Sequence, residues 1–138
     1  MELLQMLEQL DGLEELFFAF RWWKQQVSGD SAAAQRFGEI LSSKRHLRKL
    51  VIDGNHLVTD KTLEKLCRRP LSNTLECLSM GDCHNFPVDG QDVRPAFITD
   101  AGLRHVAGLG QLKTLIIRCN LQVTSAGIKR LAPLRKLE

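Results

Sequence analysis

The chain has 138 residues, 43% of them hydrophobic and 25% charged, with a formal net charge of +3. That is one domain's worth of core, and the charge excess is too small to point to nucleic acid, so no nucleic-acid partner is expected. No run of about 18 apolar residues occurs, and Met1-Glu2-Leu3-Leu4-Gln5 lacks the basic and apolar regions of a secretion signal, which predicts an intracellular (cytoplasmic or nuclear) protein without a membrane segment.

In chain order, Leu4, Leu7, Leu10 and Leu13 open the sequence at helical spacing. Leu13-x-x-Leu16-x-Phe18 follows, and its alternation predicts a short strand with Leu16 and Phe18 on one face. Residues 21–30 then carry Trp22 and Trp23, and a helix is expected from near Ser31 through Ala32-Ala33-Ala34 to Phe37, Ile40 and Leu41. The strand pattern returns at Leu47, Leu50 and Ile52, at Leu75, Leu78 and Met80, and at Leu112, Leu115 and Ile117. Asn55, Cys83 and Asn120 stand at equivalent places after these strands, where a polar side chain can bond unpaired backbone groups of the turning chain. Val58-Thr59-Asp60, Ile98-Thr99-Asp100 and Val123-Thr124-Ser125 then offer helix N-caps. The apolar pairs Leu63 and Leu66, Leu103 and Val106, and Ile128 and Leu131 follow and give each returning helix a buried face. About a dozen residues are inserted between Cys83 and Ile98, and Leu131, Leu134 and Leu137 repeat the spacing of the opening helix.

A unit of about 20–29 residues holding one strand and one returning helix is the pattern of a leucine-rich solenoid. The expected fold is α/β, a right-handed horseshoe segment with short parallel strands on the concave face and helices on the convex face. It forms one domain over 1–138, with irregular insertions near 21–30 and 84–97. Leucines 13, 16, 47, 50, 63, 66, 75, 78, 103, 112, 115 and 131 are its expected core. Neither end shows a polar capping unit of the kind solenoids need. The chain therefore reads as a segment of a longer array, or as one whose ends are covered by partners, self-association among them.

Ile/Val-Thr-Asp-x-Gly-Leu-x-x-Leu-Ala after a Cys or Asn, most complete at 47–67 and 98–132, resembles the cysteine-containing leucine-rich repeats of F-box proteins and their relatives. The resemblance covers roughly residues 44–137 and implies an intracellular curved array that binds another macromolecule. No F-box segment is present, so substrate recognition within a ubiquitin-ligase adaptor stands only as an alternative. The repeat lengths, about 34, 28, 37 and 25 residues, are also more ragged than the pattern.

Alternation along parallel strands predicts rows across the sheet: Phe17, Val51, Ser79 and Ile116; Ala19, Asp53, Gly81 and Arg118; and Glu15, Lys49, Cys77 and Thr114. The first row is apolar for a wet face, which points to partner binding at Phe17, Val51, Asp53, Ser79, Ile116 and Arg118; the opposing reading is that such residues merely suit strands. Trp22 and Trp23 join the candidates because tryptophan is enriched in interface hot spots, and the 84–97 insertion is a second contact region. Asp89-Gly90-Gln91-Asp92 falls short of a calcium loop. Cys67, Cys77, Cys83 and Cys119 lack zinc-site spacing and read as reduced thiols. Lys44, Arg45, Arg48, Lys49, Arg68 and Arg69 sit at helix ends or strand starts, where cations suit the helix dipole. No phosphate loop or nucleophile arrangement is found. The sequence thus predicts a non-catalytic protein-interaction module without cofactor or metal, the alternative being a structural subunit or assembly factor docked through its ends.

Overall fold

The computed structural model describes residues 2–18, 32–53, 57–81, 98–118 and 122–138. Four strands occur, β1 Glu15–Phe17, β2 Lys49–Val51, β3 Cys77–Gly81 and β4 Thr114–Arg118. Five helices accompany them, α1 Glu2–Gln9, α2 Ala32–Ser42, α3 Asp60–Leu66, α4 Asp100–Val106 and α5 Ser125–Lys129, with a 3₁₀ turn at Leu71–Asn73. The strands form one parallel sheet in the order β1-β2-β3-β4. Parallel neighbours need a crossover, and α2, α3 and α4 each lie in one.

The register aligns Leu16, Leu50, Leu78 and Leu115 in one row and Phe17, Val51, Ser79 and Ile116 in the next. This is the alignment that the leucine spacing predicts, because each strand starts at the same place in its unit. The leucine row points toward the helices. Leu47, Leu50, Leu63, Leu66, Leu75, Leu78, Leu103 and Leu112 are fully buried together with Phe37, Leu41, Ile52 and Met80, and Leu131 is nearly so. Leu13, Leu16 and Leu115, expected in the core, are only half-buried against it. All three belong to the outermost strand units, where a side chain has a packed neighbour on one side only.

The helices are tied together by Thr-Asp. Thr99 caps α4, its hydroxyl accepting from the Ala101 N–H at 3.1 Å, and that hydroxyl donates to Asp60 Oδ2 of α3 at 2.6 Å while the Thr99 N–H donates to Oδ1 at 2.8 Å. One unit on, Thr124 repeats the arrangement, bonding Asp100 Oδ2 at 2.6 Å and Oδ1 at 2.8 Å and accepting from the Ala126 N–H. Each carboxylate thus fills two acceptor sites with donors of the next helix start, and charge-assisted bonds are the stronger kind. The same carboxylates dictate the glycines. A Cβ on Gly102 would stand 2.3 Å from Asp60 Oδ1, and one on Gly127 2.1 Å from Asp100 Oδ1. Thr62 holds the equivalent place in α3, where its single hydroxyl proton lies between the Ala34 and Leu57 carbonyls instead.

Lys44, which follows α2 as its helix-end reading predicts, is buried, and its Nζ donates to the Glu8 carbonyl at the end of a different helix, α1, at 3.1 Å. The helix C-terminus offers unpaired carbonyls and a negative dipole end, which pull the ammonium inward.

Candidate functional site

The strand residues that alternate with the buried leucines form the other face of the sheet. Glu15, Phe17, Thr114 and Arg118 are exposed there, and Lys49, Val51, Cys77 and Ile116 are half-buried. At the β1–β2 edge Phe17 is 60% exposed, and Lys49 Nζ lies 4.9 Å from its ring centroid. The cation sits over the negative face of the ring, which holds the aromatic in place while leaving it open. Val51, paired with Phe17, extends this corner.

The row is not continuous. Ser79, expected to be open, is buried, and its hydroxyl donates to Asp53 Oδ1 at 3.1 Å and Oδ2 at 3.2 Å. Asp53 follows β2, so its short side chain leans across onto β3 and closes over the serine. Beside it, a Cβ on Gly81 would come 2.9 Å from Arg118 Cβ and 3.3 Å from Asp53 Oδ1. Glycine there lets Arg118 and Asp53 approach each other across the sheet. The face therefore divides into an apolar, cationic corner (Phe17, Lys49, Val51) and a polar end (Asp53, Ser79, Gly81, Arg118), with Ile116 beyond Ser79 on β4. Val51, Asp53, Ser79, Ile116, Arg118 and Phe17 all lie on this face, as the rows predict, but Ser79 offers no free hydroxyl to a partner. Trp22 and Trp23, Ala19, Asn55, Cys83, His84, Cys119, Asn120 and the 84–97 insertion lie outside the described residues.

One residue ahead of each strand runs a row of alternating charge: Glu14, Arg48, Glu76 and Lys113. The backbone sets it. Arg48 and Lys49 N–H both donate to the Glu14 carbonyl, Glu76 and Cys77 N–H to Arg48, and Lys113 and Thr114 N–H to Glu76. Glu76 then faces Lys113 at 2.8 Å and Arg48 at 3.5 Å. The Lys113 hydrogen bond and charge hold its carboxyl below the usual glutamate value. Asp100 is likewise held below the usual aspartate value, first by the Thr124 hydroxyl and then by the Thr124 N–H.

Burial pushes the Cys67 thiol up to about 12, so at neutral pH it is a packed thiol rather than a nucleophile. Among the described residues no three His, Cys, Asp or Glu side chains come together to hold a metal. No described helix is long and apolar enough to cross a membrane.

Reading Thr-Asp only as an N-cap missed the carboxylate's reach to the next unit. The available signal was the glycine two residues after Asp100, and its counterpart Gly127, each at the place where the preceding unit's aspartate needs room. No protein-family model matches the chain, and no curated protein sequence matches it significantly.

Proposed function

We propose that the chain is a leucine-rich-repeat solenoid of the cysteine-containing kind, working as a non-catalytic protein-recognition module through the open face of its sheet. The observation that carries this reading is the Phe17 corner. A phenylalanine 60% exposed on a regular sheet face, steadied by Lys49 rather than covered, is the kind of anchor that interface hot spots use. Val51 beside it adds apolar area, and Asp53 with Arg118 supplies a polar rim that can set the partner's register. The parallel register of four strands and the Asp60–Thr99 and Asp100–Thr124 staples support the repeat reading, since α3 meets α4 and α4 meets α5 through the same contacts.

A photo-crosslinking residue tests this when placed at Phe17 or, as a control, at exposed Arg104 on α4. A protein adduct should form from position 17 in cells that make the protein and should weaken when Val51→Asp is added. Equal crosslinking from position 104, or none from 17, would overturn the reading.

A further inference from the structure

Parallel strands all start at one edge of the sheet, and the connections that lead from helix to strand end along that edge. Three of them, 43–48 before β2, 67–76 before β3 and 107–113 before β4, hold six cations, Lys44, Arg45, Arg48, Arg68, Arg69 and Lys113, against one carboxylate, Glu76. Ion pairs bring the last residues of these connections together. Glu76 reaches Arg48 on one flank and Lys113 on the other, and Lys136 lies on the same side, its Nζ donating to Gln111 Oε1 at 2.5 Å. The connection before β1 is acidic instead, with Asp11 and Glu14, so the basic stretch runs from β2 to β4.

The fold's own needs absorb part of this charge. Lys44 is buried on the Glu8 carbonyl, and Arg68 pairs with Glu64. Helix dipoles act within the last turn, whereas Arg48 comes six residues after Ser42, the last of α2, and Lys113 seven after Val106, the last of α4. Arg45 and Arg69 are exposed and meet no carboxylate within ion-pair distance among the described residues. Arg48 and Lys113 share the one carboxylate of Glu76, which leaves the edge with a surplus of positive charge. Arg48 is exposed although β2 is paired on both sides, because this edge faces along the strands rather than across the sheet.

We infer that this edge is a second docking surface, taking a carboxylate-rich segment of a partner protein across the starts of β2, β3 and β4, with Arg45, Arg48, Arg69 and Lys113 as its contacts. Arginine suits such a ligand because its guanidinium bonds a carboxylate through two parallel hydrogen bonds. Arg48 and Lys113 stand two strand spacings apart, about 10 Å at the backbone, a distance that about three residues of an extended segment cover. Nucleic acid fits less well. A peptide can set an uncharged residue opposite Glu76, whereas a nucleic acid carries a phosphate at every step. Among the described residues no aromatic lies in these connections for a base to stack on. The surface is distinct from the Phe17 corner, so binding here does not need that corner.

Fluorescence anisotropy of a labelled peptide of alternating glutamate and serine, titrated with the purified chain, tests this. The peptide should bind at low salt and weaken as salt rises, since exposed charges are screened. Arg45→Ala with Arg69→Ala should weaken binding about fivefold. Arg36→Ala with Lys61→Ala, which removes the same charge from α2 and α3, should leave it nearly unchanged, circular dichroism showing both variants folded. Glu76→Gln should tighten binding, because it releases Arg48 and Lys113. No binding at low salt, an equal loss in both double variants, or tighter binding of a single-stranded RNA of the same net charge would each overturn the inference.

Discussion

Leu103 in α4 and Ile128 in α5 stand at the same place in their helices, each just after a buried glycine, Gly102 or Gly127. Yet Leu103 is 0% exposed and Ile128 49%. Leu112 and Leu137 repeat the contrast, at 0% and 38%. The residue types are equivalent, and the neighbours differ. Leu103 is roofed on both flanks by α3 and α5, whereas α5 packs only on α4 among the described elements. An apolar residue at a template position is an offer of burial, and the adjoining unit decides whether it is taken up.

Deleting the same methyl groups on the two helices should sharpen that contrast most. Leu103→Ala removes a fully packed side chain and is expected to cost about 3 kcal/mol. Ile128→Ala at low protein concentration should cost under about 1 kcal/mol, both read from urea unfolding. Equal costs would mean that the outer helix is as well packed as the inner one.

Next comes the pairing of carboxylate and glycine. Gly102→Ala drives a Cβ into Asp60 and should destabilise by about 2 kcal/mol. Asp60→Ala alone strands the Thr99 hydroxyl and N–H and should cost about 2 kcal/mol. Made together, the substitutions should cost clearly less than the sum, because the aspartate that clashes is gone. Strict additivity in a double-mutant cycle would separate the glycine from the staple.

The pH response follows from the depressed carboxyls. In the unfolded chain Asp100 and Glu76 take up protons near 3.8 and 4.5, whereas the folded protein resists protonation below those values. Their contribution is therefore whole above about pH 5 and is lost as pH falls through the depressed folded values. Asp100→Asn should make the acid-side fall in the urea midpoint shallower. Added salt should weaken the part due to Glu76, an exposed ion pair, more than the part due to the Thr124 hydrogen bonds.

The smallest effect belongs to the proposed binding corner. Phe17→Ala should change stability by less than about 0.5 kcal/mol while abolishing crosslinking from a probe placed at neighbouring Val51. A large loss of stability would make Phe17 a packing residue instead.

Much of the fold was legible because it depends on spacing. Leu16, Leu50, Leu78 and Leu115 fall in one register row since each follows its unit's first leucine by three residues, and α2 spans Ala32–Ser42 as its alanines and apolar face predict. The alignment of the alternate row, Phe17, Val51, Ser79 and Ile116, was legible for the same reason. The burial of Ser79 was not, because it depends on Asp53, just after the neighbouring strand, leaning over it, a contact between residues 26 apart in sequence. For Lys44 the suitability for a helix end was legible but not which helix it serves, its ammonium being drawn to a carbonyl 36 residues away.

The periodicity of leucine and the Thr-Asp caps by themselves determined that this chain makes short parallel strands and returning helices, because side-chain direction repeats with local backbone geometry. Which apolar positions are sealed, where a carboxylate spends its lone pairs, and which aromatic stays open were decided only by tertiary structure. Burial and hydrogen bonding are properties of neighbours, and the sequence does not place the neighbours side by side.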